Sequence, residues 1–284
     1  MKAILSCTDG SLYADSVYQY TAWLAKALKT EVHLLHMLDP KYNKSISQDF
    51  SGHLALGAKS ALLEKLVAQE SANAKLAQAY GQAILEAGES QLKTAGIENV
   101  SAEQKHGKLS EAVAEVNDNI AAIVLGKRGH NADFEKGHLG SNLERVIRTT
   151  QQAVLVAART FRPIKQFAIA FDDSPSAQAA IRYLIENPIL QDAHAYLIYV
   201  GTGNTTIEAA IGEAARSLDK AGYSIAVEQR AGIPEKIISE IAAEGSIDLL
   251  VMGAYGHSPM RHLLVGSTTT AMIREVKIPV LLCR

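Results

Sequence analysis

The chain has 284 residues, 48% of them hydrophobic and 20% charged, with a formal net charge of −2. That length fits one large domain or two ordinary ones, and the near-neutral charge excludes a general attraction to nucleic acid or anionic membrane. The two cysteines, Cys7 and Cys283, stand at opposite ends and form neither a disulfide framework nor a paired metal motif, as expected in a reducing compartment.

The opening MKAILSC has too few apolar residues before Cys7 for a signal peptide, which needs roughly 7–15. We read it as a first strand ending in ILSCTD (4–9). SVYQYTAWLAKAL then predicts a helix, with Val17, Tyr20, Leu24 and Leu28 on one stripe. VHLLHM (32–37) is a second strand. A polar loop, KYNKSISQDFSG (41–52), leads to two segments of helical pattern, SALLEKLVAQ and AKLAQAYGQAILEAGESQLKTAG. The strand AAIVLG (121–126) precedes a glycine-containing loop, the helix GSNLERVIR and the strand AVLVA (153–157). RTFRP (159–163) is the expected break. No apolar run approaches the roughly 18 residues of a membrane span, so a cytoplasmic protein that does not contact membrane is expected.

After the break the pattern recurs. FAIAFD (167–172) matches ILSCTD, and DLLVMGAYGH (248–257) matches AAIVLGKRGH. GSTTTAMIR (266–274) matches GSNLERVIR, and PVLLC (279–283) matches AVLVA. Asp9 to His36 and Asp172 to Tyr199 both span 27 residues. Alternating strands and helices imply βαβ units and parallel sheets. The strands are continuous apolar runs, as expected where helices cover both faces. We therefore expect two tandem α/β domains, 1–158 and 164–284. The first carries a helical insertion at about 39–74, packed on the domain, covering its binding edge or making a subunit contact.

In open parallel sheets, ligands bind beyond the carboxyl ends of the strands. Gly253 stands at such an end, where glycine permits a close approach that a Cβ forbids. Ser267 and Thr268 open the next helix, whose free N–H groups favour an anion. A loop from Gly256 to Gly266 closing over a phosphate is the expected arrangement. The sequence lacks GxxxxGK[ST], which excludes a P-loop NTPase, and Gly201–Gly203 fails to extend to GxGxxG because residue 206 is threonine.

The loop pattern G-x2-G-x9-G-S, with the strand-terminal Asp172 of FDDS, the strand DLLVMG and the ending IPVLLCR, resembles the nucleotide-binding signature of the universal stress protein family. The resemblance covers both copies. It implies an adenine-nucleotide α-hydrolase-like fold, doubly wound, with five parallel strands per domain. It also implies that the last strands of the copies pair antiparallel, making an intramolecular pseudo-dimer. In the second copy it implies that Asp172 hydrogen-bonds a nucleoside and that Val200 reads the adenine through its backbone. Met252 and Gly253 would border the ribose and first phosphate, and Gly256, His257, Gly266, Ser267 and Thr268 the phosphates. Asp173 departs from the family, which commonly has glycine there; its carboxylate would repel phosphate or help hold Mg²⁺. The corresponding first-copy residues are Asp9, Met37, Gly126, Gly129, Gly140 and Ser141. Ten residues separate Gly129 from Gly140, against nine in the second loop. Lys127, Arg128 and His130 are expected to favour phosphate there.

The expected function is an ATP- or AMP-binding regulatory module of the stress response, acting chiefly through the second copy and signalling to a protein partner, with homodimerisation of chains. The alternatives are a slow ATPase or other adenine-nucleotide enzyme, and a structural stress protein without nucleotide. HxGH and SGGxDS, signatures of adenylyl-transfer enzymes, are absent, and so is a GxSxG hydrolase elbow. The nine histidines show no HxH or HExxH spacing, so no metal site and no catalytic residue are assigned. His33 and His36, three apart on a strand, face opposite sides.

Overall fold

The computed structural model describes residues 2–38, 56–128, 140–254 and 267–284; of residues 56–67, 117 and 267–268 it describes the backbone alone. The first half runs β1 (Ala3–Thr8), α1 (Ala14–Leu28), β2 (Val32–Leu38), α2 (Leu56–Thr94), β3 (Val100–His106), α3 (Leu109–Val116), β4 (Ile120–Gly126), α4 (Ser141–Thr149) and β5 (Ala153–Ala157). The second repeats that order: β6 (Gln166–Ala170), α5 (Pro175–Glu186), β7 (His194–Val200), α6 (Thr205–Lys220), β8 (Ser224–Arg230), α7 (Pro234–Ala243), β9 (Leu249–Gly253), α8 (Ser267–Glu275) and β10 (Val280–Cys283).

The ten strands of the described residues form one sheet, in the order β3-β2-β1-β4-β5-β10-β9-β6-β7-β8. Pairing is parallel within each half. The halves meet where β5 and β10 pair antiparallel, with Val156 opposite Val280 and Leu155 opposite Leu281. The tandem α/β arrangement and the antiparallel join implied by the resemblance are both present. The central strands are buried along their length, β5 and β10 completely, because helices cover both faces. Residues of α1, α2, α5 and α6 share one core layer; those of α3, α4, α7 and α8 share the other.

Local chemistry sets the helix starts. Ser174 caps α5, its Oγ accepting from the Ala177 N–H at 3.2 Å, and Pro175 fills the first helical position. Asn204 caps α6 through the Ile207 N–H at 2.9 Å. On α1, Tyr20 and Leu24 of the predicted stripe are fully buried and Val17 nearly so. Leu28 is only half-buried, and Tyr18 lies deeper than that stripe implies.

The two helical segments expected around the insertion are one helix. α2 has 39 residues, against 16 for its counterpart α6, so at 1.5 Å per residue it is about 58 Å long. From 68 to 76 its residues are exposed; by Gln78, whose carbonyl accepts from Gln104 Nε2 of β3 at 3.3 Å, the helix meets the first half. Residues 39–55 lie outside the described residues. Among the described residues no helix is long and apolar enough to cross a membrane.

Candidate functional site

Within each half the strand order reverses between the first and fourth strands: between β6 and β9 in the second, β1 and β4 in the first. Such a switch point opens a crevice beyond the strands' carboxyl ends, and those of the predicted residues that are described lie at these ends. Asp172 follows β6, Val200 ends β7 beside it, and Met252 and Gly253 end β9. α8 begins at Ser267 and Thr268. In the first half Asp9 follows β1, Met37 lies near the end of β2, and Gly126 ends β4. Gly140 is the cap of α4, and Ser141 its exposed first residue. Gly129, Gly256, His257 and Gly266 lie outside the described residues.

The turns after β1 and β6 are built alike. Asp9 Oδ1 accepts from the Ser11 N–H and Asp172 Oδ1 from the Ser174 N–H, each at 3.0 Å. Each aspartate thus folds the chain into an Asx-type turn. The residue between has positive φ, +68° at Gly10 and +59° at Asp173. This conformation explains why glycine suits the position, and aspartate is among the few other residues that tolerate it. The Asp173 carboxylate accepts from Gln178 Nε2 at 2.8 Å, holding it over the first turn of α5.

The strand-end glycines have a structural reason. A Cβ on Gly253 would lie 2.5 Å from the carbonyl carbon and Cβ of Ser176. On Gly126 it would lie 2.7 Å from Tyr13 Cβ. Each glycine lets the start of the helix after the half's first strand press onto the fourth strand. Met252 is 6% exposed and sits in the core layer that holds Ile238, Ile241 and Met272, so its side chain faces the core.

Both loops that follow these glycines are tied at their roots. In the second half Thr269, 2% exposed, donates its hydroxyl proton to the Ala254 carbonyl at 3.2 Å. In the first, the Gly140 N–H donates to the Lys127 carbonyl at 3.4 Å. No pattern of residues singles out Thr269 from its neighbours; only its burial on α8 shows the role.

Lys127 corrects an expectation. Rather than facing an anion, it is 8% exposed and its Nζ donates to the Val276 carbonyl of the second half. Burial, reinforced by the neighbouring Arg128, lowers its pKa to about 8. Both cysteines are free and buried, and burial pushes the Cys7 thiol up to about 12. His36 is buried, with its Nδ1 2.9 Å from the Thr8 carbonyl oxygen, while His33 lies on the other face, 3.3 Å from a Glu103 carboxylate oxygen. Among the described residues no group of three or more potential ligands could hold a metal ion.

α2 shapes the first-half crevice. A Cβ on Gly10 would meet Ile84 Cδ1 at 2.7 Å and Tyr80 Oη at 3.4 Å. Counting from Leu92 and Gly96, which correspond to Leu218 and Gly222, the matching positions of α6 are Ala210 and Thr206. A surface depression between Lys26, Lys29 and Asn99 lies at the opposite end of the sheet, away from this site.

A doubly wound parallel sheet with a paired aspartate turn and a rooted glycine loop at each switch point defines a tandem α/β protein of the adenine-nucleotide α-hydrolase-like class. The universal stress protein family profile matches residues 1–158 and 203–284, and the chain belongs to that family. It is 38% identical over 287 aligned residues to universal stress protein Slr1230 of Synechocystis, with both chains covered completely. The crystal structure of a universal stress protein from Archaeoglobus fulgidus superposes with a TM-score of 0.68 at 21% identity, covering 99% of this chain and 98% of that one. One from Pseudomonas aeruginosa gives 0.62 at 17%, covering 100% and 93%.

Proposed function

We propose that the second half binds an adenine nucleotide, ATP or AMP, as a regulatory module of the stress response. The observation that carries this reading is the convergence at the β6–β9 switch point of the Asp172 turn, the Gly253 strand end and the start of α8. A nucleoside would lie between Asp172 and the backbone at Val200. Its phosphates would meet the N–H groups at Ser267 and Thr268 and the loop residues Gly256, His257 and Gly266, in keeping with the loop's resemblance to the family signature. Mg²⁺ would accompany the phosphates, and the Asp173 carboxylate, in the same turn as Asp172, would either repel them or help hold the metal.

The second half is favoured because the residues of α6 matching the Ile84 and Tyr80 wall are Ala210 and Thr206, smaller in both places. In the first half Lys127 is committed elsewhere, which removes a cation from Asp9, Met37, Gly126, Gly129, Gly140 and Ser141. The domains divide at 158–164, between β5 and β6. The test is to denature the purified protein and identify released nucleotide by mass spectrometry, then titrate the emptied protein with ATP and AMP. About one adenine nucleotide per chain is expected; an empty protein that also ignores added ATP and AMP overturns the reading.

A further inference from the structure

The helices that follow the two glycine loops are held at their far ends by cations from the opposite half. Val276 and Thr150 occupy matching places, each donating its N–H at 3.0 Å to a helix carbonyl, of Met272 and Val146 respectively. Their own carbonyls are among those a helix C-terminus leaves without an internal partner. The Val276 carbonyl accepts from Lys127 Nζ. The Thr150 carbonyl accepts from Arg284 Nη1, and the Arg148 carbonyl from Arg284 Nη2 at 3.2 Å. A cation at a helix C-terminus also complements the helix dipole. The sequence counterparts of these cations are Ala254 and Ala158, both buried. The exchange is therefore reciprocal between the halves, though the two cations come from non-equivalent strand ends.

We propose that Lys127 of the first half is a positioning residue for the nucleotide site of the second, acting through α8. α8 has nine residues, too few to be stable by itself. It is held near its start by Thr269 on the Ala254 carbonyl and at its end by Lys127 on the Val276 carbonyl. Its first residues are Ser267 and Thr268, assigned above to the phosphates, so the inference rests on that assignment. The Lys127 carbonyl also anchors the first-half loop through the Gly140 N–H, so one residue joins the root of one loop to the helix behind the other.

The experiment compares wild type with Lys127→Met, Lys127→Arg and Arg284→Met, reading amide hydrogen exchange in α8 and α4 with and without ATP, and ATP affinity by calorimetry. Loss of a charged cap in a buried setting is expected to speed α8 exchange and weaken ATP binding on the order of fivefold in Lys127→Met. Lys127→Arg restores both, and Arg284→Met changes exchange in α4 instead. Unchanged α8 exchange in a folded Lys127→Met protein overturns the proposal, as does weakened α8 with intact ATP affinity. If Lys127→Met fails to fold, Lys127→Gln, which keeps an N–H donor without the charge, carries the same comparison. A wild-type protein that binds no ATP defeats the nucleotide assignment, and with it the role given to Lys127. The α8 exchange of the variants then still reports whether the capping contact exists.

Discussion

Lys127→Met should remove a pH-dependent contribution to stability that the structure builds into the join between the halves. Lys127 is buried, and its pKa falls from the ordinary 10.5 to about 8. The folded state therefore binds fewer protons than the unfolded state between those values, and stability rises with pH across that window. A fall of about 2.5 pH units, at about 1.4 kcal/mol each, makes the gain about 3 kcal/mol. Cys7 works in the opposite sense: its thiol is held up to about 12, so folding loses stability as pH rises above the unfolded thiol's value. Subtracting the Lys127→Met curve isolates the lysine, because the cysteines and tyrosines titrate in both proteins. Arg128, the charged neighbour that lowers the Lys127 pKa alongside burial, is present in both proteins. Urea unfolding of both proteins at pH 7.5, 9 and 10.5 measures the difference. The wild type should gain on the variant by about 3 kcal/mol over that range. A constant difference would show that Lys127 is solvated and would remove the physical basis for its capping role.

Three further outcomes are expected. Gly253→Ala places a Cβ 2.5 Å from the Ser176 carbonyl carbon; because that atom belongs to the backbone, the strain should cost about 1–3 kcal/mol in urea unfolding. Gly266→Asp should abolish ATP binding in the second half while leaving the far-ultraviolet dichroism and unfolding midpoint near wild type, since a carboxylate would occupy the proposed phosphate position; a folded variant with unchanged affinity removes that position from the site. Asp173→Gly should tighten ATP binding at low salt by withdrawing a negative charge, and the gain should shrink as salt screens it; a loss of affinity only when Mg²⁺ is present would instead assign the carboxylate to the metal.

Much of this architecture was legible because the repeated signals were local. Strand ends marked by Asp9 and Asp172, apolar runs such as AAIVLG and DLLVMG, and the recurrence of a Gly-Ser helix start state the βαβ order directly. The antiparallel β5–β10 join came from the family resemblance rather than from any residue pattern. What escaped reading depended on three-dimensional neighbours. Lys127 stands in a loop where a cation suggests an anion site, yet its partner is the Val276 carbonyl 149 positions away. Gly253 reads as a ligand glycine, while its nearest obstacle is Ser176. The break assumed between SALLEKLVAQ and AKLAQAYGQ has no physical cause, since no proline or glycine interrupts residues 60–80.

One asymmetry between the halves, at the aspartate turns, follows from an exchange of bulk. In the first half Ile84 of α2 presses on the aspartate turn, so that a Cβ on residue 10 would meet its Cδ1 at 2.7 Å and the isoleucine side chain would have to shift. Its φ of +68° separately favours glycine. In the second half the conformation is nearly the same, +59°, yet the residue is Asp173. The steric demand has gone because the matching α6 position is Ala210, and the conformational demand remains but is one that aspartate meets. A pair of substitutions tests this account. Ala210→Ile should be tolerated only with Asp173→Gly, so the double variant should be more stable than the sum of the single effects predicts, as expected for residues in contact. The same Ala210→Ile change narrows the crevice beside Asp172, and ATP affinity should fall even in the double variant. Additive stabilities would separate the α6 wall from the turn, and unchanged affinity would place the nucleotide away from it.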